Sequence, residues 1–164
     1  MLTGRARAYS QRSSERFLAR LAHAGAAERL TEVLARWTWS LWQPEQPSPD
    51  QPTPPAVFYI DGHRKAVYSD VLVPRGPVGK LGGKILGCRE LVVLHDSQGH
   101  PLLATTHRGD QHLTLGLPYM LHRYEQATGQ AQMQRVVVDR EGMAAEFLAQ
   151  LQQEGRQVVT LRRR

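Results

Sequence analysis

The sequence predicts an α/β domain built on a mixed sheet and preceded by a helical arm. Three observations predict it. Short runs rich in Val, Ile, Leu and aromatic residues recur at 57–60, 89–95, 101–106, 135–139 and 157–161. Segments of helical periodicity stand at 113–127 and 142–154, between the later strands. The earlier strands follow one another directly, so the order after residue 56 is β-β-β-α-β-α-β. That is an antiparallel meander followed by αβ crossovers, with helices on the faces of the sheet.

Composition agrees with a folded domain. The chain has 164 residues, 41% of them apolar, which suffices for a core. No window approaches the 18 uninterrupted apolar residues of a membrane span. The N-terminal residues are polar and basic with no apolar run behind them, unlike a secretory signal. Cys88 is the only cysteine, which excludes an internal disulfide and a thiolate zinc cluster and fits a cytoplasmic protein. Lys and Arg number 21 against 15 Asp and Glu, net +6, a balance suited to a polyanionic partner.

The arm occupies residues 1–43. Ser13-Ser14-Glu15-Arg16 opens a helix with Phe17, Leu18 and Leu21 on one face, and Gly25 breaks it. Leu30, Val33, Leu34, Trp37 and Leu41 continue at spacings of three and four, with Arg29, Glu32 and Arg36 opposite. Two helices do not enclose a core, so the arm must pack on the main domain, a partner or a further segment. Residues 44–56, PEQPSPDQPTPPA, read as an extended linker, because repeated proline forbids helix and central strand. Residues 57–164 form the main domain.

Within it, Val57-Phe58-Tyr59-Ile60 is a strand ending at Asp61, with His63 to Tyr68 as its continuation. Residues 74–87, PRGPVGKLGGKILG, hold five glycines and two prolines and read as a loop. Asp96-Ser97-Gln98-Gly99 is turn chemistry and joins 89–95 to 101–106 as a hairpin. Pro118 is tolerated in the first turn of the 113–127 helix. Gly155 closes the 142–154 helix, which turns Phe147, Leu148 and Leu151 inward.

One local pattern occurs twice. A β-prone run ends in Asp at 61 and again at 139, and each Asp is followed within three residues by glycine. If the two strands are parallel neighbours, both carboxylates lie at the sheet edge where open α/β sheets bind ligands. Two facing carboxylates recruit a cation, and oxygen ligands at a half-open site suit Mg²⁺ or Mn²⁺. Such a site can promote phosphodiester cleavage. The competing reading is that each Asp caps a following turn or helix, Asp139 that of 142–154.

Tyr59-Ile60-Asp61-Gly62-His63-Arg64, through Val67-Tyr68, resembles the first catalytic segment of DDE-type insertion-sequence transposases. Val136-Val137-Val138-Asp139-Arg140-Glu141-Gly142, with the helix and Val158-Val159-Thr160-Leu161-Arg162 behind it, resembles the second. The elements between fit the ribonuclease-H-like order, and the resemblance covers roughly residues 56–164. It implies three carboxylates holding two divalent metals, Mg²⁺ or Mn²⁺, for strand cleavage and transfer on double-stranded DNA. Asp61 and Asp139 match the first two. The third, a glutamate, belongs on a helix after the last strand, whereas the sequence stops at Arg164; Glu141, Glu146 and Glu154 come too early. The expectation is therefore a C-terminally truncated transposase of a mobile element, inactive alone and completed by a missing C-terminal segment or by homo-oligomerisation. The rivals are a non-catalytic DNA-binding or interaction remnant of the same fold, and a small metal-dependent nuclease.

Further residues bear on DNA. His63, two residues after Asp61, points to the same strand face and can contact phosphate or a metal ligand. Arg75, Lys80 and Lys84 sit among glycines whose backbone can approach phosphates closely. Arg140 follows the second aspartate, and Arg162, Arg163 and Arg164 end the last strand. The seven histidines show no HxxxH spacing, which argues against zinc, and the 74–87 segment lacks the P-loop order. Trp37, Trp39 and Trp42 read as packing anchors.

Overall fold

A computed structural model describes residues 9–42, 56–129, 133–139 and 144–160 of the chain. The Pro-rich linker up to residue 55, Arg140 to Gly142, and Leu161 to Arg164 lie outside the described residues.

Two helices come first, α1 (Gln11–His23) and α2 (Ala27–Leu41). Ser10 caps α1 by accepting from the Ser13 backbone N–H, and Gly25, at φ 60°, turns the chain between the helices. The strands follow as β1 (Val57–Ala66), β2 (Arg75–Val78), β3 (Lys84–His95) and β4 (Pro101–Arg108). After α3 (Leu117–Thr128) come β5 (Arg135–Val138), α4 (Ala145–Gln153) and β6 (Gln157–Thr160). Pro118 sits in the first turn of α3, where its missing N–H costs nothing.

The sheet is mixed and six-stranded. β3 lies between β4 and β1, antiparallel to both, and β5 and β6 extend the far side of β1 in parallel. The register sets Ile60 beside Val138 and Val138 beside Thr160.

Residues 74–87 are not a loop. β2 and a short 3-10 turn at Gly79–Leu81 fill it, and β3 begins at Lys84 instead of residue 89. The prolines are compatible because Pro77 lies on an edge strand, where no ladder N–H is missed. Gly82 and Gly83, both at positive φ, make the tight reversal. Glycine composition, read as disorder of the backbone, instead served close approach. A Cβ on Gly76 would stand 2.1 Å from the Gly109 carbonyl oxygen.

The core lies on one face of the sheet. Phe58, Ile60, Val92, Leu94, Val136 and Val138 pack against Leu117, Met120, Leu121 and Tyr124 of α3, Phe147 and Leu151 of α4, and Ala35 of α2. The expected cover on both faces is absent among the described residues: the alternate side chains Tyr59 and Val159 are exposed.

α2 packs on the domain with the face opposite to the one its apolar stripe predicts. Ala35 is fully buried, Trp39 and Trp42 pack on the core, and Trp42 stacks on His100 with ring centroids 4.6 Å apart. Arg123 of α3 reaches Glu32 at 2.8 Å and Glu28 at 3.6 Å. Leu30, Val33, Leu34, Trp37 and Leu41 face away and are about half exposed. A small residue allows close approach to α3 and β4, and an ion pair fixes the orientation. Trp37 is therefore not a packing anchor within this chain.

Candidate functional site

The parallel pair β1–β5 builds the site. Its register ends at Ile60 and Val138, and the next residue on each strand is an aspartate, Asp61 and Asp139. β5 stops there, while β1 continues to Ala66 paired with β3 alone. The step where one strand outruns its neighbour leaves a shallow groove of about 400 Å³. Tyr59, Asp61, Val137, Asp139, Val159 and Thr160 are among its lining residues. Asp61 and Asp139 are thus brought to one groove, both exposed.

The capping alternative does not hold for either residue. Asp61 lies inside β1 rather than at a turn. α4 begins after Ala144, whose cap position receives no side-chain hydrogen bond, so Asp139 does not cap that helix. The Thr160 hydroxyl donates to the Asp139 backbone carbonyl at 3.1 Å, tying the end of β6 to the end of β5.

His63 follows Asp61 on the same side of β1, with its Nε2 buried and without a hydrogen-bond partner among the described residues. Arg64 turns to the other side, in register with Glu90 of β3, which is in register with His107 of β4. The basic residues of the β2–β3 hairpin do not join the groove. Asp61 pairs with Val93, and Lys84 lies nine residues earlier on the same strand. At about 3.3 Å per residue that is roughly 30 Å. Arg75 also spends its guanidinium on the Ile85 carbonyl at 3.0 Å. Arg140 lies outside the described residues.

Sequence reasoning missed the lining residues Tyr59, Val137, Val159 and Thr160. Tyr59 alternates with the buried Phe58 and Ile60, which is a signal. Val137 sits in a wholly apolar run, Arg135-Val136-Val137-Val138, where alternation is silent.

For a divalent metal the donor set is incomplete. Among the described residues no three His, Cys, Asp or Glu side chains converge. Two carboxylates and a hydroxyl already engaged with a carbonyl fall short of the oxygen set a pair of Mg²⁺ ions needs. No helix among the described residues is long and apolar enough to cross a membrane.

No family model matches the chain, and no curated relative matches it. Among solved structures, a piggyBac transposase in a synaptic complex with hairpin DNA is similar over 66% of this chain, at 15% identity and a TM-score of 0.40. The chain spans 23% of that protein's length.

Proposed function

We propose that residues 57–164 are part of a DDE-type transposase catalytic domain of ribonuclease-H-like fold, with double-stranded DNA as its partner. The observation that carries this reading is the pair Asp61 and Asp139, one residue beyond the last register pair of two adjacent parallel strands. The sheet order β4-β3-β1-β5-β6, with three antiparallel strands and two parallel ones, is the order the sequence resemblance implies. The resemblance implies Mg²⁺ or Mn²⁺, and the described residues do not complete a site for it. No cleavage step is therefore derived for this chain alone, and a third acidic ligand is required from elsewhere.

What this chain's own residues supply is a cationic grip. Lys80 and Lys84 stand at the tip of the β2–β3 hairpin, roughly 30 Å from Asp61, about the length of nine base pairs at 3.4 Å each. A duplex running from the hairpin to the groove has phosphates at both ends of that span. The carboxylates themselves repel phosphate, so affinity without metal comes from the hairpin and the chain's net +6 charge.

The test is duplex binding by the full chain at several salt concentrations, with cleavage read in the same samples. Affinity falls steeply with salt, and replacing Arg75, Lys80 and Lys84 by Ala flattens the log–log slope by about two, since each lost phosphate contact removes about 0.9. Cleavage with Mg²⁺ or Mn²⁺ is negligible, and a supplied segment bearing a glutamate on a helix restores it only while Asp61 and Asp139 are intact. Absence of binding at low salt sinks DNA as the partner. Cleavage that survives Asp139→Ala sinks the site. Binding with no cleavage under any supplied segment leaves the rival reading, a DNA-binding remnant, in its place.

A further inference from the structure

We propose that α2 is a self-association surface, through which two copies of this chain pair along Leu30, Leu34, Trp37 and Leu41. The inference rests on the helical arm alone and is independent of the groove and its metal.

The helix has two usable faces and the domain takes the weaker one. Ala35 and Thr38 meet the domain, the Thr38 hydroxyl lying 3.4 Å from the Leu102 carbonyl oxygen. On the opposite face Leu30, Val33, Leu34, Trp37 and Leu41 are 45% to 56% exposed. Their spacing along 30, 34, 37 and 41 is four, three, four, which is the seam of a coiled coil. Neither acid nor base interrupts the stripe. Arg29 and Arg36 border it, where a polar rim belongs.

α1 adds to the surface. None of its residues is buried, and Phe17 and Leu18 are 60% and 61% exposed. A helix of 13 residues with no packed face is marginal in water, so its fold asks for a partner. With aromatic side chains of 150–250 Å² each, the seven exposed residues offer on the order of 600 Å² of apolar surface. That is at the top of what monomers expose, and near the roughly 800 Å² per partner of a stable interface.

A second copy is the occupant the pattern fits. The four-three-four spacing reads the same in both directions. An antiparallel copy about a two-fold axis between Leu34 and Trp37 sets Leu30 against Leu41 of the second copy and Leu34 against its Trp37. Such a contact is isologous and closes at two, leaving no stripe bare. Both copies carry net positive charge, so salt screens their repulsion and does not dissociate them.

The experiment is sedimentation of the full chain across micromolar concentrations. The wild type is a dimer at low and high salt. Leu34→Glu with Trp37→Glu raises the dimer dissociation constant by about 100-fold or more, because two charges enter each half of a desolvated seam. The thermal unfolding midpoint is unchanged, since both side chains are half exposed and face away from the domain. A control, Val159→Glu on the bare sheet face, leaves the dimer intact. Should the charge variant misfold, Leu30→Cys with Leu41→Cys gives a reducible covalent dimer on mild oxidation; Cys88 is fully buried and does not interfere. A monomeric wild type, a dimer untouched by Leu34→Glu/Trp37→Glu, a dimer broken by Val159→Glu, or cysteines that do not cross-link would each overturn the proposal.

Discussion

The two faces of the sheet are made by the same strands and have opposite roles. On one, Ile60, Leu94, Val136 and Val138 are nearly or fully buried beneath α2, α3 and α4. On the other, Tyr59 is 43% and Val159 60% exposed, and the two aspartates stand at its edge. Parallel strands are ordinarily buried on both sides, so a bare face beside β1, β5 and β6 is unusual. The covered face carries the stability of the domain, and the bare face keeps a ligand edge open.

Truncation separates the faces most sharply. Leu121→Ala beneath the covered face removes a fully buried side chain and costs about 2–5 kcal/mol, the usual range for a core leucine. Val159→Ala on the bare face changes stability by about 0.5 kcal/mol or less. Chemical denaturation of both variants measures the difference. Equal losses would mean that the second face is also covered in solution.

A smaller effect comes from the polar tie at the rim of the covered face. Arg156, just before β6, bonds Glu125 of α3 at 2.6 Å, Glu154 at 2.9 Å and the Met133 carbonyl at 3.1 Å. Burial opposes the charge of this guanidinium, and the two carboxylates more than restore it, holding its pKa above the ordinary value. The Arg156 hydrogen bond in turn holds the Glu154 carboxyl below its ordinary value. Arg156→Met leaves Glu125 without its cation at a largely buried position and costs about 2–4 kcal/mol, somewhat less than a fully buried pair. Replacing Glu125 by Gln at the same time recovers part of the loss, because no charge is then stranded. A double-mutant cycle with no coupling would place this tie in solvent.

The strands and helices of the main domain were legible because their periods are plain, two in 101–106 and 3.6 in 113–127. The β2 hairpin was not, because Gly and Pro mark loops and edge strands alike, and only pairing with β3 tells them apart. The packed face of α2 was hidden for a physical reason. Binary pattern assigns the larger apolar face inward, whereas Ala35 and the Arg123–Glu32 pair decided the contact. Asp61 and Asp139 stand out in the sequence as acids closing apolar runs. The groove around them does not, since a run of three valines conceals which of them faces outward.

The smallest expected effect concerns protons on the covered side. His107 of β4 bonds the Thr105 hydroxyl at 2.9 Å and lies over Gly116, where a Cβ would come within 2.5 Å of the ring. Burial disfavours the imidazolium and lowers the His107 pKa below its ordinary value. The unfolded chain therefore binds this proton at a higher pH than the folded one does. Stability from this group is fully present above the ordinary histidine value of about 6.5, and is lost as pH falls from there toward the depressed folded value. The carboxylates of Asp96 and Glu154, held below their ordinary values, withdraw their contribution only at more acidic pH, below about 4.5. The two windows are thus separable. His107→Gln keeps a polar partner for Thr105 and removes the titration. Its denaturation midpoint stays flat where the wild type's declines below pH 6.5, and the two curves run parallel in the carboxylate window. A wild-type curve that rises on acidification through the histidine window would show that His107 is charged in the folded chain, with Glu90 across β3 as its partner.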